Sequence, residues 1–153
     1  NDCDLDWHAV ATEPDAFHDG KLPLAAFREV LTTFVRSARQ RGMLPLLVTP
    51  PPLHARRYFA WIARKEDPRQ ILHYLGDVEH IYRWQERYAQ AVREIAAQEH
   101  CPLADLREVF LEQRNFPELI CQDGIHPTEA GQELMARAIR YALPAYQQQL
   151  RGA

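Results

Sequence analysis

From Pro23 onward the apolar positions recur at helical spacing. Leu24, Phe27, Val30, Leu31, Phe34, Val35 and Ala38 fall on one stripe, as a period of 3.6 residues requires. Arg36, Arg39 and Arg41 suit the C-terminal end of such a helix, and Gly42 reads as its stop. The next run, Leu44-Pro45-Leu46-Leu47-Val48-Thr49, is short, apolar and free of charge. After a helix, that pattern predicts a buried parallel strand, which Pro50, Pro51 and Pro52 end. Residues 53–80 form a long insertion rich in aromatics, too long for an ordinary loop, and the pattern predicts short helices broken near Asp67-Pro68. Ile81, Trp84, Tyr88, Val92 and Ile95 mark a second long helix with an apolar face. Cys101 to Leu106 reads as another strand, and a helical or irregular stretch through Phe110 and Phe116 leads to Cys121. A last helix is expected from about Thr128 to Tyr141, with Pro144 helping to end it. Asn1 to Gly20 reads as polar and turn-rich.

Helix, strand, long connection, helix, strand, loop, helix is an α/β order, and its crossovers imply parallel strands. Two strands are too few for a doubly wound sheet. With no repeat or linker visible, residues 1–153 read as a single, partial domain whose N-terminal strands lie outside the chain. A net charge of −3 offers no general attraction to nucleic acid or to an anionic membrane. No apolar run approaches the ~18 residues of a membrane span. Cys3, Cys101 and Cys121 are widely spaced and form neither a zinc pattern nor a disulfide framework. Free thiols, and with them a cytoplasmic location, are the expectation. Secretion stays open, since the sequence opens at Asn1 without Met and a leader could precede it.

The strongest chemical signal is Asp123-Gly124-Ile125-His126-Pro127-Thr128-Glu129-Ala130-Gly131, directly before an amphipathic helix. Three residues apart in a loop, the Asp123 carboxylate can curl back to one imidazole nitrogen of His126. That bond would fix the tautomer and leave the other nitrogen free as a general base. Gly124 permits the tight bend. Pro127 biases His126 towards extended backbone, and Thr128 suits a helix cap. The bland alternative is an Asp-Gly turn followed by a helix start with no chemistry, which a bare Asp-x-x-His often is. Ser37 is the only serine in the chain. It falls inside the predicted first helix, between Arg36 and Ala38, and lacks the strand-to-turn setting of a nucleophile.

The nine-residue string resembles the last block of the SGNH (GDSL-type) serine ester hydrolases, in which the aspartate orients a catalytic histidine. Asn1-Asp2 resembles the close of that family's Gly-x-Asn-Asp block, and the order of elements between the two agrees. The resemblance implies a three-layer α/β/α, flavodoxin-like fold with a parallel sheet. It implies a carboxylic ester hydrolase in which His126 is the base, Asp123 its partner and Asn1 a donor to the oxyanion hole. The serine, and the glycine whose N–H completes the oxyanion hole, would come from an upstream segment. No metal or organic cofactor is implied, and the expected ligand is a small-molecule ester. Tyr58, Phe59, Trp61 and Ile62 are candidates for an acyl pocket or lid, or else simply pack the insertion onto the domain. His8 with Asp2, Asp4 and Asp6 suggests solvated acids rather than a metal site. Trp84 and Tyr88 read as core, and His54, His73, His80 and His100 as surface positions. The alternative function, favoured by the lack of a placed serine, is a non-catalytic binding or scaffold domain that keeps the fold. Acyl transfer to an alcohol would use the same residues.

Overall fold

The computed structural model describes residues 1–152. Its elements in chain order are α1 (Trp7–Thr12), α2 (Leu24–Gln40), β1 (Leu47–Val48), α3 (Ala55–Ile62), α4 (Pro68–Leu75) and α5 (His80–Gln98). β2 (Leu103–Ala104), α6 (Leu106–Leu111), a 3-10 turn (Phe116–Leu119) and α7 (Glu129–Gly152) follow. The two strands pair in parallel, Leu47 opposite Leu103 and Val48 opposite Ala104. Among the described residues they make up the whole sheet.

α2 stops where the sequence says: Gly42 adopts φ +74° and its N–H bonds back to Arg39. Its apolar stripe divides, however. Phe27, Leu31, Val35 and Ala38 turn inward, while Val30 and Phe34 stand in solvent. Val35 and Leu47 pack with Val92, Ile95 and Ala96 of α5, so α2 and α5 cover the face of the sheet that Leu47 occupies. α7 lies against β2, α6 and the 3-10 turn, where Leu134 closes a cluster with Phe110, Leu119 and Ile120. Helices therefore flank a parallel sheet, and the chain is α/β. A third cluster lies beyond the sheet. Leu5 and Val10 near the N-terminus meet Tyr58 and Ile62 of α3, Ile71 and Leu75 of α4, and Ile81 of α5.

The strands are shorter than their apolar runs: pairing is confined to residues 47–48 and 103–104, extended by the Leu47 N–H to the Pro102 carbonyl at 2.9 Å and the Thr49 N–H to the Ala104 carbonyl at 3.2 Å. α1 escaped the polar reading of the N-terminus. Asp6 caps it, its carboxylate accepting from the Ala9 amide at 3.0 Å, and Val10 is its one fully buried side chain. The aromatic stretch does hold two helices, broken at Asp67, which caps α4, with Pro68 next to it in the tolerated first-turn position. Pro144 does not end the last helix but sits inside α7. The Arg140 carbonyl it leaves unbonded lies on an exposed turn, where water can serve it.

The carboxyl ends of the two strands are tied by a polar network. Thr49, almost fully buried, donates its hydroxyl to Asp105 at 2.8 Å. Asp105 also takes two bonds from Arg93, at 2.6 and 3.2 Å, and caps α6 through the Glu108 amide at 3.1 Å. Arg107 is completely buried; its guanidinium lies 4.3 Å over the Tyr82 ring and donates to Gln85 at 2.7 Å. Glu86 forms an ion pair with it at Nε, too poorly directed to be a hydrogen bond. Burial pushes the Asp105 pKa up, but the bonds from Arg93, Glu108 and Thr49 outweigh it and hold the carboxyl below its ordinary value.

Because the folded-state value is the lower one, Asp105 contributes stability that is whole above the ordinary carboxylate value of about 4 and is lost as pH falls through the depressed one. Asp105→Ala should therefore cost about 2 kcal/mol at pH 7, from the lost cap and charged hydrogen bonds. Thermal unfolding should show the gap between variant and parent narrowing below about pH 4. A gap that stays constant from pH 7 to pH 3 would contradict the network's role.

Candidate active site

Asp123 and His126 lie on the loop between the 3-10 turn and α7. The base of this loop is closed by backbone bonds: Cys121 N–H to the His126 carbonyl at 2.8 Å, and Thr128 N–H to the Leu119 carbonyl at 2.9 Å. Inside the ring the Asp123 carboxylate folds back on its own segment. Oδ1 accepts from the amides of Ile125 and His126 at 3.0 and 3.1 Å, and Oδ2 sits 2.6 Å from His126 Nδ1. Partial burial pushes the Asp123 carboxyl up. The bond to the His126 ring and the two amide bonds more than reverse this, so its value ends below the ordinary one. Ionised, Asp123 can only accept, which puts the proton on Nδ1 and leaves Nε2 bare. The His126 side chain is 73% exposed, so that nitrogen is accessible.

The loop is bolted to α3. Gly124 has φ +84°, and its carbonyl accepts from the His54 N–H at 2.7 Å. A Cβ here would run into the Tyr58 backbone nitrogen and lie 2.8 Å from the His54 oxygen. Only glycine meets both demands. Arg57 adds a second tie, its Nη1 donating to the carbonyls of Pro117 and Ile120 at 2.5 and 2.6 Å. At the other end, the Thr128 hydroxyl caps α7 through the Gly131 amide at 3.3 Å. Gly131 has no side chain to collide with the Leu119 carbonyl.

His126 stands at a cleft of about 310 Å³ whose lining also includes Asn1. Asn1 belongs to an N-terminal loop held by several bonds. The Asn1 carbonyl accepts from Asp4 N–H at 3.0 Å, the Asp2 carbonyl from Leu22 N–H at 2.9 Å, and the Cys3 carbonyl from Trp84 Nε1 at 2.7 Å. Of the four aromatic-stretch candidates, Tyr58 lines this cleft. Trp61 and Ile62 join Tyr58 in a neighbouring, more open depression, and Phe59 packs against the third cluster, lining neither. Trp84 is half-buried and lines the cleft, as do His80, Gln85, Leu75 and Ile81. The helical stripe marks Trp84 as inward-facing but cannot tell core from cavity wall, and His80 has no sequence signal at all. Tyr88 is buried, as expected. Two of the three N-terminal acids have internal duties. Asp6 caps α1, Asp4 pairs with Lys21 at 2.8 Å, and His8 faces Glu66 at 3.1 Å. Among the described residues no group of three or more His, Cys, Asp or Glu could hold a metal ion. Cys3, Cys101 and Cys121 are free thiols. No helix among those residues is long and apolar enough to cross a membrane. Ser37 sits on α2 and is not among the residues lining the cleft.

Residues 1–134 match the GDSL-like lipase/acylhydrolase family, and the chain belongs to it. Solved structures share its fold. The lipase/acylhydrolase from Enterococcus faecalis aligns at a TM-score of 0.56 and 23% identity, over 77% of this chain and 50% of that one. A candidate SGNH hydrolase from Slackia heliotrinireducens aligns at 0.56 and 23%, over 90% of this chain and 61% of that one. The chain thus spans about half to three-fifths of the length of these structures. No curated protein matches.

Two outcomes follow from the loop's construction. Gly124→Ala should destabilise by about 2 kcal/mol or more, since it combines positive-φ strain with a collision against backbone. A melting temperature within a degree of the parent would contradict the bolt. Nitrogen NMR of the neutral His126 ring should show Nδ1 protonated and Nε2 bare. The opposite tautomer would contradict the Asp123 bond.

Proposed function

We propose that the chain carries the base, its orienting acid and one oxyanion donor of a carboxylic ester hydrolase. The observation that supports this most directly is the 2.6 Å approach of His126 Nδ1 to Asp123 at a cleft shared with Asn1. The nucleophilic serine and the glycine N–H that completes the oxyanion hole come, in this reading, from a segment upstream of Asn1. The serine hydroxyl attacks the ester carbonyl as its proton passes to His126 Nε2. Asp123 holds the ring and stabilises the imidazolium. The Asn1 amide shares the oxyanion with the serine and glycine N–H groups, and one such donor is worth about 10²–10³ in rate. His126 returns the proton to the departing alkoxide, and the acyl-enzyme remains. Water, deprotonated by the same nitrogen, then releases the acid. The scheme calls on no metal or organic cofactor. An alcohol in place of water would give acyl transfer with the same atoms.

Ser37's place on α2, away from the cleft, is the observation that favours the second reading, a binding domain that keeps the fold without the chemistry. One variant separates the two. In the full-length protein, His126→Ala should lower kcat/KM for a simple aryl ester by about 10⁴-fold or more, while Asn1→Ala should lose about 10²–10³. Full retention of activity in His126→Ala would overturn the hydrolase assignment.

A further inference from the structure

The candidate base and the candidate oxyanion donor sit on segments more than a hundred residues apart, and one residue between them touches both. The Tyr58 backbone lies against the His126 loop, where the absence of a Gly124 side chain lets the two pack. At the far end of the same residue, the Tyr58 hydroxyl donates to Asp4 Oδ1 at 2.6 Å. Trp7 Nε1 braces that bond, reaching the same Asp4 oxygen at 2.9 Å and the Tyr58 oxygen at 3.1 Å, with its ring edge-on to the phenol. Lys21 holds the second Asp4 oxygen at 2.8 Å. The Asp4 amide in turn donates to the Asn1 carbonyl at 3.0 Å and closes the turn that carries Asn1 to the cleft. Tyr58 is buried. Burial, and then the Asp4 carboxylate, raise its pKa, so the phenol stays protonated at neutral pH and remains a donor. Bonds to an ionised carboxylate are the stronger kind, and this one is spent on the protein's own N-terminal loop.

We propose that Tyr58 is a positioning residue, a strut whose backbone seats the His126 loop and whose hydroxyl, through Asp4, holds the Asn1 turn. One side chain then sets the separation between base and oxyanion donor. The proposal rests on the hydrolase reading above for what its two ends do. An oxyanion donor works only within hydrogen-bond reach of the place where charge develops, and a misplacement of about 1 Å can cost about 10²-fold in rate. Phenylalanine at position 58 keeps the ring and the backbone, and with them the seat of the His126 loop. It removes the hydroxyl bond to Asp4. A residue that merely packs the wall would act on stability and on substrate binding; a strut acts on kcat, and does so through Asn1.

The test is a double-mutant cycle in the full-length protein, read with p-nitrophenyl butyrate. Tyr58→Phe should lower kcat about tenfold or more, short of the loss of about 10²–10³ expected when the donor itself is removed. KM should stay within about twofold of the parent's. In an Asn1→Ala background the same substitution should cost less than about twofold. Asp4→Ala should reproduce the kcat loss and add little to Tyr58→Phe, and it takes that variant's place in the cycle if the Phe variant does not fold. Asp4→Asn should restore most of the activity, since its amide oxygen still accepts from Tyr58 and Trp7. Equal costs in the two backgrounds, or a loss confined to KM, would overturn the proposal. Hydrogen exchange reads the strut without any chemistry. The Asp4 amide should exchange about tenfold or more faster in Tyr58→Phe, while the Ile125 and His126 amides keep their rates. If the parent cleaves no ester and no serine reacts with a fluorophosphonate, the hydrolase reading fails. Exchange then decides the strut alone: a faster Asp4 amide supports it, and an unchanged one overturns it.

Discussion

A glycine carbonyl and the first turn of a helix hold the candidate site together. The Gly124 oxygen accepts the His54 N–H, and the absent Gly124 side chain lets the loop lie against the Tyr58 backbone. Through that contact one rigid element, α3, determines two things at once. It sets where His126 stands, and it sets where the Tyr58 ring enters the cleft wall. Asp123 completes the arrangement within the loop by gathering two amides and one imidazole nitrogen on a single carboxylate. The charge so created fixes which imidazole nitrogen carries the proton. The position and tautomer of the base thus have separate causes, a backbone contact and a carboxylate.

The rest of the cleft is held by the polar network at the strand ends. Thr49 and Asp105 fasten the carboxyl end of β1 to that of β2, and Arg93 fastens both to α5. Arg107 extends the network to Gln85, which grips the Pro51 carbonyl and the Leu53 amide behind β1. The Gln85 amide, on the wall of the cleft, is thus engaged in holding the segment that follows β1. Open α/β sheets present their ligands at the carboxyl ends of the strands, and the cleft draws Pro50 and Pro51 from just beyond that end of β1.

Much of this was legible in the chain. The 3.6-residue stripe marked α2 and α5, the short apolar runs marked both strands, and Asp123-Gly124-Ile125-His126 marked the dyad with its positive-φ hinge. These are local signals, carried by neighbours in sequence. The cleft walls were not legible, because Trp84 and Leu75 come together only through tertiary packing and look like any inward-facing residue. α1 was hidden because a six-residue helix with one fully buried side chain leaves little periodicity. Pro144 misled because its cost in a helix depends on whether water can reach the carbonyl four residues back, which is a property of exposure rather than of sequence. Tyr58 was singled out for its place in an aromatic stretch, and the same stretch gave no way to separate it from Phe59, which packs on the same cluster without lining the cleft.

The most direct test of the account is fluorophosphonate labelling of the full-length protein, with the modified peptide located by mass spectrometry in parent and His126→Ala. The account predicts one adduct, on a serine outside these 153 residues, formed in the parent and nearly absent from the variant. An adduct on Ser37, or labelling that ignores the loss of His126, would contradict it.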